Sequence, residues 1–311
     1  MSNTTNQATS YFLDTDIGGD VDDVGALALL HVLCYRQSAR VIAVTHCTGS
    51  PYACECIDVI NRAYGKPDIP IGMIPQRKYM DDIYFEKYSK PLADNYPHRY
   101  KDDTQPQTAI DVMRSSLLSQ PDQSVVMIAV GPLTNLAEFV MLDDDRALIA
   151  SKVKQLFVMG GAFVDEDDMV KRQQAGEWLE RIEYNIRVDI QSAITIAERW
   201  PTPIVWSPFE LGAPIKTGVE WHSMPEDHPV RFAYTLHSPD GRSTWDPPTV
   251  WAAVMGAEPF FQLSPIGDVR VEPDGLTVYT PNPAGHSRIL LLNQLPAEIA
   301  RALDGWMTKL Q

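Results

Sequence analysis

Basic side chains are in short supply. The 311 residues carry 26 Lys and Arg against 41 Asp and Glu, a formal charge of −15, and no segment concentrates the Lys and Arg. A chain this acidic repels a phosphate backbone or an anionic membrane, which excludes nucleic-acid polymers and membranes as principal partners. Long apolar runs are missing as well: nothing approaches the roughly 20 consecutive apolar residues that cross a bilayer. Met1 to Ser10 has neither the basic flank nor the apolar segment of a secretory signal. Residues 1–10 therefore read as a short disordered lead to one domain over residues 11–311. Cysteine is scarce too. Cys34, Cys47, Cys54 and Cys56 are too few and too clustered for a disulfide framework, and Cys54-Glu-Cys56 has the wrong spacing for a redox or zinc pair. Reduced thiols in a cytoplasmic protein are expected. Gly/Ser linkers, low-complexity tracts and internal repeats are absent, so one domain is the simplest account.

What is present is an ordinary globular composition, 44% hydrophobic and 22% charged, with short apolar runs alternating with helical patterns. Tyr11-Phe12-Leu13, Val41 to Val44, Ile69-Pro70-Ile71, Val125 to Val130, Gln155 to Met159 and Ile204 to Trp206 read as strands. Helical spacing links Val24, Leu27, Leu30 and Cys34, then Ile57, Ile60 and Tyr64, with further helices over Leu133 to Met141 and Asp189 to Trp200. This alternation predicts an α/β fold: an open, mostly parallel sheet with helices on both faces and a Rossmann-like core. Val269 to Val271, Leu276 to Val278 and Ile289 to Leu292 add short antiparallel strands before a final helix from Pro296. Two long polar connections break the rhythm. Gln76 to Gln107 carries six aromatics, Tyr84 and Tyr88 among them, and Phe209 to Thr244 carries His222, His228 and His237. Such connections are lids or binding loops, or plain surface excursions.

The richest chemistry lies in Asp14-Thr15-Asp16-Ile17-Gly18-Gly19-Asp20-Val21-Asp22-Asp23. Five carboxylates in ten residues repel one another unless a cation sits among them, and they stand at the end of the first strand, where open α/β sheets bind ligands. Gly18 and Gly19 allow the backbone to bend so that Asp16 and Asp23 share a centre. The bland alternative is a solvated acidic loop capping the next helix. An EF-hand loop fails, because its twelfth position holds Gly25. A haloacid-dehalogenase-type phosphatase, with Asp14 as nucleophile and Asp16 as general acid, matches the Asp-x-Asp but has Thr or Val where Gly18 stands.

The cluster and four later motifs together resemble the calcium-dependent nucleoside hydrolase family. The matches run in the family's order: Asp14-Thr15-Asp16 with Asp22-Asp23 and Gly25 to Leu29, then Val130 to Ala137, Val158 to Ala162, Glu183 to Ile186 with Asp189, and Trp245-Asp246-Pro247. The resemblance implies a Ca2+ held by Asp16, Asp23, the carbonyl of Val130 and Asp246, which leaves coordination positions for a water and two ribose hydroxyls. It implies hydrolysis of the N-glycosidic bond of a ribonucleoside to base and ribose, with Asp16 as general base on a calcium-bound water. Asp22, Glu183 and Asn185 are then expected at ribose hydroxyls, Met159 in the sugar pocket and Ser50 near the sugar. A homodimer or homotetramer is expected on the same ground.

Bland readings stand beside several of these residues. Thr134-Asn135 serves equally as a helix cap, Gly160-Gly161 as a tight strand exit, and Asp189 as an N-cap. Glu183 and Asn185, two apart on an extended segment, face one pocket. Three departures bear on the substrate. The aspartate loop is about two residues longer than the family's short form and adds Asp20. Gly49-Ser50 replaces Gly-Asn, and Gly176-Glu177 falls near another sugar-contacting Asn. Trp245 stands where broad-specificity members have His. An indole offers no acid to the leaving base but stacks on it, as in the family's purine-preferring branch, with Tyr84 or another lid aromatic as a second face. As a plain core residue, Trp245 carries no such role. A non-catalytic ribose- or nucleoside-binding relative is the remaining alternative.

Overall fold

The structure is a computed structural model, and it describes residues 9–74, 87–100 and 104–309. The first half alternates as β1 (Ser10–Thr15), α1 (Asp22–Arg36), β2 (Arg40–His46), α2 (Ala53–Ala63), β3 (Ile71–Met73), α3 (Ser89–Asn95), β4 (Gln107–Thr108), α4 (Ala109–Leu118), β5 (Val125–Ala129), α5 (Thr134–Val140), α6 (Asp143–Lys152) and β6 (Val153–Met159). Next come α7 (Glu166–Gln174), α8 (Tyr184–Val188), α9 (Ile190–Arg199), β7 (Ile204–Ser207), α10 (Phe209–Gly212), β8 (Lys216–Thr217), α11 (Pro229–His237), β9 (Arg242–Ser243) and α12 (Asp246–Met255). The chain closes with β10 (Phe261–Leu263), β11 (Gly267–Val271), β12 (Thr277–Pro281), β13 (Ser287–Leu292) and α13 (Pro296–Met307).

The main sheet runs β12-β11-β13-β7-β6-β5-β1-β2-β3-β4. Every pairing from β13 to β4 is parallel, whereas β11 and β12 form an antiparallel hairpin at one edge and β10 pairs antiparallel with β13. The expected single-domain α/β architecture is the one observed, with the last predicted strand, β13, joining the parallel run beside β7. Alternate residues feed the two faces. Tyr11, Leu13, Val126 and Ile128 pack under α1, α2, α12 and α13, and Phe12, Val125, Met127 and Ala129 pack under α4, α5 and α9. Burial on both faces gives the continuous apolar runs visible in the sequence.

Local departures have local causes. The brief strand expected at Ile69 to Ile71 starts only at Ile71, because Pro70 has no amide to give a ladder. Ser10, expected in the disordered lead, is buried in β1. Phe209 to Thr244 is no open loop: it folds into α10, a 3-10 turn at Glu220–Ser223, α11 and the antiparallel pair β8–β9 that brackets the last two, and it buries Leu211, Ile215, Trp221, Val230 and Tyr234. Interleaved prolines and charges hide that apolar set from a period count. In the other connection, Tyr79, Tyr84 and Phe85 lie outside the described residues, while Tyr88 is fully buried. The four cysteines are all buried and free, and no helix among the described residues is long and apolar enough to cross a membrane.

Candidate active site

The C-terminal ends of β1, β5, β6 and β7 open into a cavity of about 510 Å³, a volume suited to a small organic ligand. Its floor is acidic. Asp22 and Asp23 are the first residues of α1 and Asp246 is the first of α12, and these two helices pack against each other. One carboxylate oxygen from each of the three lies within 4.8 Å of the others, and all three side chains are buried. The positive ends of two helix dipoles therefore meet on this trio. Asp22 also caps the second helix across the gap, its Oδ2 accepting from the amides of Trp245 at 2.8 Å and Asp246 at 3.3 Å. Thr15 donates its hydroxyl to Asp23 Oδ1. Burial first, and then the neighbouring carboxylate charges, push Asp22, Asp23 and Asp246 well above the usual carboxylate range.

Asp16 follows β1 and lines the same cavity outside that trio. Burial, with the charges of Asp20 and Glu183, raises its pKa. Gly18, at φ +138°, makes the turn that follows, a backbone conformation natural to glycine. The turn is clamped from below: Gly18 N donates to Tyr88 Oη at 2.7 Å, and Tyr88 Oη donates to the carbonyl of Asp20 at 2.7 Å. Gly131 makes room for Asp16, because a Cβ there stands 2.8 Å from Asp16 Cβ and 2.6 Å from Cys47 Sγ.

Val130, Met159, Glu183 and Asn185 line the same cavity. Asn185 Nδ2 donates to the carbonyls of Val130 and Met159, each at 3.2 Å, so its Oδ1 is the atom left for the cavity. The extended backbone expected over Glu183 and Asn185 holds only at Glu183, because Asn185 already stands in α8; Glu183 is the N-cap of that helix and accepts from the amides of Asn185, Ile186 and Gly161. Burial outweighs those three bonds and pushes it up to about 7.

Several expected residues sit elsewhere. Asp14 is fully buried below the floor, absent from the cavity lining, and bonded by Thr45 and by Asn135 at 2.9 Å. A phosphatase nucleophile is therefore not available at Asp14. Ser50 is buried beyond β2, where its Oγ accepts from Tyr52 N at 3.4 Å, and it is absent from the lining. Thr134 and Asn135 do not cap α5. Thr134 donates to Asp189, the N-cap of α9, and Asn135 holds Asp14. Glu177 is ion-paired with Arg172 on the surface. Of the three histidines noted above, only His237 reaches the cavity.

One wall is aromatic. Trp245 is only 7% exposed, and its Nε1 donates to the carbonyl of Phe209 at 2.9 Å. Trp178, half exposed, stands edge-on to Phe209 and Trp245, with ring centroids 5.2 and 5.5 Å away. Arg242 lies over the Trp245 ring at 5.5 Å and pairs through Nε and Nη2 with Asp20. Trp178, Phe209 and Arg242 were missed from sequence. Trp178 sits in a polar stretch without periodicity, and Arg242 has its partner 222 residues away.

The family model described as "Inosine-uridine preferring nucleoside hydrolase" matches residues 11–255. A pyrimidine-specific ribonucleoside hydrolase from Klebsiella pneumoniae is 28% identical over 199 residues, which cover 60% of this chain and 56% of that protein, little more than half its length. Among solved structures, a plant nucleoside hydrolase superposes with a TM-score of 0.70 at 21% identity, over 97% of this chain and 99% of that one. A purine-preferring ribonucleoside hydrolase from Gardnerella vaginalis gives 0.68 at 17% identity, over 96% and 97%. At these identities the two superpositions establish the shared fold, and the family match spans the aspartate loop through Asp246 and the cavity between them. The chain belongs to the inosine-uridine preferring nucleoside hydrolase family, a family of N-glycosyl hydrolases.

Proposed function

We propose that the protein hydrolyses the N-glycosidic bond of ribonucleosides, with purine nucleosides preferred, and that Ca2+ is its metal. The observation that carries this reading is the buried trio of Asp22, Asp23 and Asp246 on the cavity floor. No ion pair joins them among the described residues, since Arg242 is taken by Asp20. Three buried carboxylates without a cation are costly, and an all-oxygen donor set suits a hard divalent ion. When bound, such an ion supplies a Lewis acid that selects a cis-diol and acidifies water.

The chain's own residues supply the rest. Asp23 and Asp246, with the Val130 carbonyl and Asp16, would hold the ion, and Asp22 and Glu183 would hold ribose hydroxyls. Asp16, which lines the cavity beside that floor, takes the proton from the water that attacks C1′. The sugar becomes oxocarbenium-like as the bond breaks. Asn185 Oδ1, fixed by its two amide bonds, faces that positive charge. Met159 lines the sugar pocket, and the wall of Trp178, Phe209 and Trp245 receives the base. Its area supports a purine preference. A cytoplasmic location and a homodimer or homotetramer complete the proposal.

The test is a panel of purine and pyrimidine ribonucleosides plus a phosphate ester, with Ca2+ or chelator, read as free base, ribose and phosphate. Base release that the chelator abolishes is expected, fastest with purines. Phosphate without base, or nucleoside binding without turnover, overturns the assignment.

A further inference from the structure

The cavity holds a cation whose function the hydrolase reading leaves open. Breaking the bond between C1′ and the base nitrogen leaves an electron pair on the base. A general acid ordinarily neutralises it, but the residue before Asp246 is an indole, which has no proton to give near neutral pH. Arg242 stands beside that indole, on β9, with its guanidinium over the Trp245 ring. Asp20 holds Nε and Nη2 as a two-point pair, and among the described residues no acceptor is bonded to Nη1. Arg242 and Trp245 both line the cavity, and Trp178 packs against Trp245 from another side. The guanidinium is thus clamped at one edge and open at the other, against the wall assigned to the base.

Resting on the hydrolase reading, we propose that Arg242 is the leaving-group residue, and that Asp20 and the Trp245 ring are the groups that position it. The C1′–N bond breaks with its electron pair going to the base. The Nη1 donors hydrogen-bond to the acceptor atoms over which that charge spreads, and the attacking water gives its oxygen to C1′ and one proton to Asp16. The base then takes its proton from solvent, and Asp16 returns its own. Arginine stays charged throughout, so it stabilises the departing anion without transferring a proton. The carboxylate added to the aspartate loop acquires a purpose, since Asp20 fixes the fork that presents Nη1.

The experiment compares a purine ribonucleoside with nitrophenyl riboside, whose leaving group is a stable anion that needs no such help. In Arg242→Gln, kcat for the purine nucleoside is expected to fall by about 100- to 1,000-fold, the range for losing one donor to developing charge. For nitrophenyl riboside the change should stay under about threefold, a difference that would be near 0.6 kcal/mol. Added guanidinium ion should restore part of the lost rate in Arg242→Ala. The paired variant Asp20→Asn with Arg242→Gln removes both charges, and it keeps the comparison valid if the single change misfolds. Equal losses on the two substrates, or a raised KM at unchanged kcat, overturn the role of Arg242. A wild type that cleaves neither substrate overturns the hydrolase reading itself, and the proposal with it.

Discussion

Asn135 donates one side-chain amide to Asp14 Oδ1 at 2.9 Å and to the carbonyl of His46 at 3.0 Å, tying the ends of β1 and β2 to the start of α5 beneath the cavity. Asp14 is thereby a structural carboxyl, and burial pushes it up to about 7. The two aspartates of the Asp14-Thr15-Asp16 motif should separate cleanly. Asp14→Asn is expected to keep base-releasing turnover within about tenfold of wild type, or ~1.4 kcal/mol. Asp16→Asn should lose about 100- to 10,000-fold, the usual contribution of a general base. Comparable kcat values for the two variants contradict this division.

Gly131 gives a test of how closely Asp16 is held. A Cβ at this position meets Asp16 Cβ, Asp16 N and Cys47 Sγ at under 3 Å. Gly131→Ala should destabilise the fold by about 1–3 kcal/mol through overpacking. It should also lower kcat more than it raises KM, because the residue displaced is the proposed base. Urea denaturation and steady-state kinetics together check this, and a fully active, fully stable variant refutes it.

The acidic floor makes stability depend on pH in an unusual direction. Asp14 and Glu183 are raised to about 7, and Asp16, Asp22, Asp23 and Asp246 are raised with them. A carboxyl with a raised folded pKa contributes fully below its unfolded value, near 4, and loses that contribution as pH rises through its folded value. In chelator, Tm should therefore fall between pH 5 and 8. Excess Ca2+ at pH 8 should reverse the fall, and at 100 times its Kd the gain is about 2.7 kcal/mol. A chelated protein whose Tm climbs with pH is incompatible with this floor.

Trp178 offers the aromatic wall's open surface, since it is half exposed where Trp245 is nearly buried. Trp178→Ala should raise KM for purine nucleosides by about 5- to 100-fold, equivalent to ~1–3 kcal/mol of base stacking. Trp178→Phe should recover most of it. Similar KM values for wild type and Trp178→Ala place the base elsewhere.

The parallel sheet was legible because both faces are buried and its strands read as apolar runs; the floor was legible because its carboxylates cluster in sequence. Asp246 was reached only through the family's motif order. The folded state of residues 209–244 was not legible, since Trp221, Tyr234 and their apolar neighbours are separated by prolines and charges. Neither was the Asp20–Arg242 pair, which forms only when β9 is brought beside the aspartate loop. Glu183 and Asn185 both line the cavity, but the helix that begins between them was not legible, because a side chain acting as a helix cap leaves no periodicity to read.

The placing of Asp22, Asp23 and Asp246 at the first turns of two mutually packed helices has a consequence for which substitutions the site tolerates. Their spacing is set where the two helices pack, and Trp245, the N-cap of α12, shares that fixed position, whereas Trp178 and Arg242 stand outside both helices on the partly exposed rim. Substitutions at Trp178 or Arg242 therefore reshape the rim without moving the three carboxylates beneath it.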